Sequence, residues 1–204
     1  MSRIGGRNAW IAVPAGMLCA AVVAALVWLS LPMLPVTVAW IGDTLRNATA
    51  PQPSATPRQT PAQTAAEGGA IDCRTLYADD LWNELMWRPG SLLGQSQASP
   101  ATTATSFADA AAPEVLVTCT WRFDTGGIVT TLSKVDADAA AIAEAALAAE
   151  GFSCEADGAA TACARTRGAV REEHTVRGGL WLVSVESQWH PEDFGARLDR
   201  TIWG

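Results

Sequence analysis

Between Arg7 and Asp43 the chain carries no charged side chain. Roughly 20 apolar residues suffice to cross a hydrocarbon core of about 30 Å, and residues 9–31 supply them. Trp10 and Trp28 lie near the two ends of that run, at the level where amphipathic rings meet the headgroups. Pro32 and Pro35 oppose a straight continuation. The expectation is a transmembrane helix over 9–31 with an apolar extension to 41 along the outer interface. Arg3 and Arg7 face a balanced Asp43 and Arg46 on the far side. The positive-inside rule then assigns residues 1–8 to a cytoplasmic tail and all that follows the span to the extracytoplasmic side.

A cleaved signal peptide is the competing reading, but its apolar core runs to about 7–15 residues. The small-x-small site Ala48-Thr49-Ala50 is followed directly by Pro51, which disfavours cleavage. Leu18 before Cys19 does not fit a lipobox, so Cys19 reads as an inert apolar residue of the span.

The formal net charge is −7, and residues 71–204 carry ten basic against nineteen acidic side chains. Such a domain is repelled by nucleic acid and by anionic headgroups, so no nucleic-acid partner is expected. The bilayer, reached through the helix, is the expected partner, together with an envelope protein or cell-wall component. Residues 42–70 turn to Pro, Thr, Gln, Ala and Ser, with prolines at 51, 53, 57 and 61. This composition predicts a disordered, extended linker.

From residue 71 onward the pattern is that of an α+β domain, an antiparallel sheet packed by two to three helices and held by two disulfides. Tyr77, Leu81, Trp82, Leu85 and Met86 recur at helical spacing. Residues 89–113 are rich in Ser, Thr, Ala and Gln and predict a flexible loop. Val115, Val117, Cys119, Trp121 and Phe123 alternate with polar residues, and Gly126-Gly127 leads into a second strand over 128–135. Asp136 is placed to cap an alanine-rich helix that buries Ile142, Ala146 and Leu147 and ends at Gly151. Strands 169–177 and 180–189 flank Gly178-Gly179, a two-residue hairpin signal. Trp181, Val183, Val185 and Trp189 are expected on one face, as core or as an aromatic binding strip. Pro191 opens a last helix with Phe194, Leu198 and Ile202 inward. Six tryptophans (82, 87, 121, 181, 189 and 203) are expected to be buried wholly or in part.

Four cysteines fall outside the apolar run: Cys73, Cys119, Cys154 and Cys163. An even count in an oxidising compartment argues for disulfides. A hairpin turning at Gly158-Ala159 brings Cys154 opposite Cys163, which leaves Cys73 for Cys119. Zinc would need ligand pairs two to four residues apart, and a redox dithiol would need C-x-x-C; neither spacing occurs.

The run Val115-Leu116-Val117-Thr118-Cys119-Thr120 resembles the nucleophile strand of sortases, which also carry N-terminal anchors. Their mechanism needs a histidine upstream of the cysteine, whereas the only histidines are His174 and His190. His174 follows Glu172 and Glu173 and, across the Gly178-Gly179 turn, shares a face with Glu172 and Val176. That pairing supports an alternative reading, an envelope enzyme of hydrolase type using His174 and a nearby carboxylate. His190, before Pro191, marks a strand-to-helix junction.

No catalytic, cofactor-binding or metal motif emerges, so no cofactor is expected. The plan of anchor, Pro/Thr linker and small disulfide-bonded domain resembles uncharacterised envelope proteins of high-GC Gram-positive bacteria. Over residues 71–204 it is similar to the PsbP-like sandwiches seen among mycobacterial lipoproteins. That likeness implies a fold, no activity and no functional residue. The expected function is a non-catalytic binding or accessory module of the cell envelope; a structural tether within a membrane complex is a further alternative.

Overall fold

A computed structural model describes residues 9–30, 59–136, 138–158 and 160–204. The chain divides into two compact units, Met1–Pro57 and Arg58–Gly204. The tail 1–8, the extension to 41 and the linker up to residue 58 lie outside the described residues.

In the first unit, helix α1 covers Ala9–Ser30, includes Pro14 and has no charged residue. Among the described residues no helix is long and apolar enough to cross a membrane.

The second unit is an antiparallel α+β fold. Its elements are α2 (Pro61–Ala66), α3 (Cys73–Leu76), α4 (Asp79–Met86), β1 (Leu92–Ser96), α5 (Thr105–Ala111), β2 (Glu114–Arg122) and β3 (Gly127–Lys134). Then follow α6 (Ala139–Ala149), β4 (Ser153–Asp157), β5 (Ala160–Arg167), β6 (Val170–Arg177), β7 (Leu180–Ser187) and α7 (Phe194–Trp203). Seven strands form one sheet in the order β1-β2-β3-β7-β6-β5-β4.

Glycine chemistry sets the β6–β7 hairpin. Gly178 and Gly179 both have positive φ, 59° and 72°, and Arg177 pairs with Leu180 across them. Only a residue without a side chain takes that pair of conformations cheaply, and its twist matches the flanking strands. At the other end of the sheet Asp157 pairs with Ala160, and the ladder runs back to Cys154 opposite Cys163. Both expected disulfides are present, Cys73–Cys119 and Cys154–Cys163.

Strand alternation divides the sheet into two buried faces. On the first, Val117, Cys119 and Trp121 are in register with Leu132, Thr130 and Ile128, and these with Leu182, Ser184 and Glu186. Tyr77, Leu81 and Leu85, with Phe194, Leu198 and Ile202 of α7, close over this half. On the second face Cys163, Val176, Trp181 and Val183 pack with Phe107 of α5 and Ala143 and Leu147 of α6. Phe107 meets the Trp181 ring edge-on at 5.0 Å. The helices thus cover opposite faces of the two halves of the sheet.

Several expectations are corrected. Order begins before Ile71: Thr60 and Gln63 form a reciprocal capping box, and Pro61 sits in the first turn of α2. Pro61 and Ala65 are buried there, and α2 contacts α7. The stretch 89–113 is no structureless loop. It supplies β1, paired with β2 from Leu92↔Arg122 to Ser96↔Thr118, and α5, whose Phe107 is fully buried. More helices pack on the sheet than the two to three expected, because these short elements lack a periodic apolar signal.

Side-chain details differ as well. Asp136 does not cap α6; the cap position is Asp138, without a side-chain bond, and the buried stripe is Ala139, Ala143 and Leu147 while Ile142 is exposed. Trp87 ends α4 and is 86% exposed. Trp189 leaves the Trp181 face, because Gln188 turns the chain with φ 68°. It packs instead on Phe123, with the Arg88 guanidinium 3.9 Å from its ring centre.

Candidate functional site

The two histidines belong to two separate clusters, one on each face of the sheet. On the second face, β6 places Glu172 and His174 opposite Val185 and Val183, as expected from the turn. His174 Nε2 lies 3.1 Å from Glu172 Oε1, and Trp181 Nε1 donates to His174 Nδ1 at 3.2 Å. An indole N–H can only donate. Nδ1 is therefore the acceptor, and Nε2 carries the proton that it donates to Glu172. The ring is stacked on Trp181 at 5.8 Å and met edge-on by Phe152 at 4.8 Å.

Glu172 is equally occupied. Oε1 accepts from Thr102 Oγ1 at 2.5 Å and from the Thr103 amide at 2.9 Å. Oε2 accepts from Thr103 Oγ1 at 2.5 Å and lies 3.4 Å from Arg165 Nη2. Burial pushes this carboxyl up, but the bonds from His174, Thr102 and Thr103 outweigh it and hold the pKa down at about 2. Arg165 also bonds the Glu150 carbonyl and stacks on Phe152. This constellation fastens the 97–104 segment to the sheet. A general base or a metal ligand needs a free lone pair that a substrate or ion can reach. His174 has its one acceptor nitrogen committed and a side chain fully out of solvent.

The first face holds a cluster that the sequence reading passed over. Glu186 is fully buried, and neither carboxylate oxygen has a hydrogen bond. His190 Nδ1 lies 3.3 Å from its Oε2, outside hydrogen-bond alignment, and the His190 side chain is 35% exposed. Glu173, on the adjacent strand, accepts from Arg171 Nε at 2.7 Å and Nη2 at 2.5 Å through Oε1, while its Oε2 is buried and unpartnered. Burial first, and then the charge of Glu173, push the Glu186 pKa up to about 8, against a smaller opposing pull from Arg171. Alternation alone assigns Glu186 to the side of Leu180, Leu182 and Ser184. That side reads as solvent-facing unless helices cover both faces of the sheet.

The first turn of α7 rests on Glu173. A Cβ at Gly195 would stand 2.3 Å from Glu173 Oε2, while Oε1 of the same carboxylate is held by Arg171. The clash meets the end of a side chain and alanine favours the helix by up to about 1 kcal/mol, so Gly195→Ala should cost only about 1 kcal/mol net, measured as a slightly lower midpoint in thermal unfolding. An unchanged midpoint would show that Glu173 moves aside freely.

Open hollows flank the sheet. One of about 370 Å³ lies over β4, β5 and β6, bordered by Glu155, Ala162, Ala164, Glu173 and Gly195. Another of about 520 Å³ lies between α2, α3 and α7, bordered by Thr60, Pro61, Arg74, Asp79 and Thr201. Among the described residues no group of three His, Cys, Asp or Glu side chains could hold a metal ion. Cys119 is bridged and buried, so it offers no thiolate.

What these features define is an α+β domain with two disulfides and two buried ionisable clusters. No family model, curated protein or solved structure matches the chain.

Proposed function

We propose that this protein is a single-pass envelope protein whose α+β domain works outside the cytoplasm as a non-catalytic binding or accessory module. The observation that carries the reading is the pairing of all four cysteines of the second unit. Such bridges form and persist in oxidising compartments. The charge-free run beginning at α1, with Arg3 and Arg7 before it, supports an anchor with its N-terminus inside. The sealed, fully bonded His174 supports binding over acid–base catalysis. The likeness to PsbP-like envelope domains adds a fold proposal and no activity.

Protease added to intact protoplasts tests the placement. The expected result is digestion of the 59–204 region from outside, with a fragment containing α1 left in the membrane after alkaline carbonate washing. Complete protection of the domain until the cells are lysed would overturn it.

A further inference from the structure

The segment from Gln188 to Asp193 joins β7 to α7 and brings His190 against Glu186. Both its ends are strained: Gln188 and Asp193 take left-handed backbone angles, φ 68° and 51°. A residue with a side chain takes such angles at a cost and persists there only where surrounding contacts over-determine it. The contacts here are Trp189 against Phe123 and Arg88, the buried Pro191, and His190 against Glu186. A carboxylate without a hydrogen bond is costly to bury in its charged form and much cheaper to bury protonated.

We propose that Glu186 and His190 form a proton-operated latch. It holds the 188–193 segment and the first turn of α7 on the sheet while Glu186 carries its proton, and releases them when Glu186 ionises.

The charged groups around the latch favour this reading. Glu173 on β6 adds a second negative charge, and its Oε2 has no partner to spare for Glu186. Arg171, the one nearby cation among the described groups acting on Glu186, is bonded through two nitrogens to Glu173. Asp193, at the start of α7, also draws on Arg171. His190 is the partly exposed group in contact with Glu186. An ionised Glu186 gains most by meeting water, and lifting the strained segment is the shortest way to admit it.

The direction follows from linkage. The Glu186 pKa is about 8 in the folded domain against an ordinary 4.5. The closed form therefore binds more protons between those values. Its stability is complete below about 4.5 and falls as pH rises to about 8, and the open population grows by at most about tenfold per pH unit.

Hydrogen exchange on the full chain in detergent micelles, corrected for the intrinsic pH dependence of exchange, tests this. Between pH 5 and 9 the opening of residues 188–203 should rise by up to about tenfold per unit and level off near 8, while β3 stays protected. Glu186→Gln should keep 188–203 closed at pH 9. Glu173→Gln, which removes the repelling charge and frees Arg171, should make the rise level off at lower pH. A flat wild-type profile, an equal rise in Glu186→Gln, or α7 and β3 opening together would overturn the latch. If Glu186→Gln does not fold, an unshifted Glu173→Gln profile overturns it alone. None of these outcomes depends on which side of a membrane the domain occupies.

Discussion

Glu172→Ala should destabilise the domain by about 3–5 kcal/mol, the range for deleting one partner of a buried charged network. The change does more than remove a side chain. It strands Arg165, the Thr103 amide, both threonine hydroxyls and the His174 Nε2 proton, most of them out of water. It also unfastens the 97–104 segment from β6, just before α5 delivers Phe107 to the core. Glu172→Gln keeps the shape and one acceptor oxygen but turns an amide toward donors, so an intermediate loss is expected. Urea unfolding followed by tryptophan fluorescence measures both. The pH dependence is a second signature. Glu172 titrates at about 2 when folded against an ordinary 4.5, so its contribution is present above 4.5 and is lost as pH falls toward 2. The alanine variant should lose that part of the acid limb. A cost below about 1 kcal/mol would show that the network is not a structural fastening.

Removal of the Cys73–Cys119 bridge is the other large effect. The two cysteines are 46 residues apart, and closing a loop of that length restricts the unfolded chain by about 4 kcal/mol. Cys154 and Cys163 are 9 apart, which corresponds to about 2.5 kcal/mol on the same model. The double alanine variant at 73 and 119 should therefore lose more stability than the one at 154 and 163. The packing points the same way: Cys73 at the start of α3 and Cys119 on β2 lie in the core, whereas Cys154 is at an edge strand. Unfolding titrations of the two variants under non-reducing conditions give the order. The reverse order would mean that loop closure does not govern these bridges.

Features decided within a few residues were legible in the sequence. Gly178-Gly179 dictates a tight hairpin through backbone freedom alone, and a two-residue turn propagates its register along both strands. Counting back in the same way from the separate turn at Gly158-Ala159 matched Cys154 to Cys163. The Cys73–Cys119 pairing followed from elimination. Short elements were not legible. β1 reads Leu92-Leu93-Gly94-Gln95-Ser96 and has no apolar alternation; pairing with β2 makes it a strand. α5 has one large apolar residue, Phe107, and its helix is stabilised by the Trp181 ring below it. α2 carries a clear capping box, Thr60 to Gln63, which the surrounding prolines and threonines obscured.

The candidate clusters divide along the same line. That His174 stands next to a carboxylate is a property of alternation. That it is sealed and bonded to Trp181 depends on α5, α6 and the 97–104 segment closing over β6, contacts between residues up to 70 positions apart. Glu186 shows the difference most clearly. Its place on β7 is set by counting from Gly179, but whether that place is wet or dry depends on α7 and the strained turn at Gln188 folding back over the sheet. By itself the sequence determined the charge-free run, the hairpin registers and the cysteine partners, because each follows from local chemistry or from counting along a strand. Which carboxylates are buried, and which of them find hydrogen-bond donors, was decided only by the tertiary structure, because desolvation is imposed by whatever packs on top.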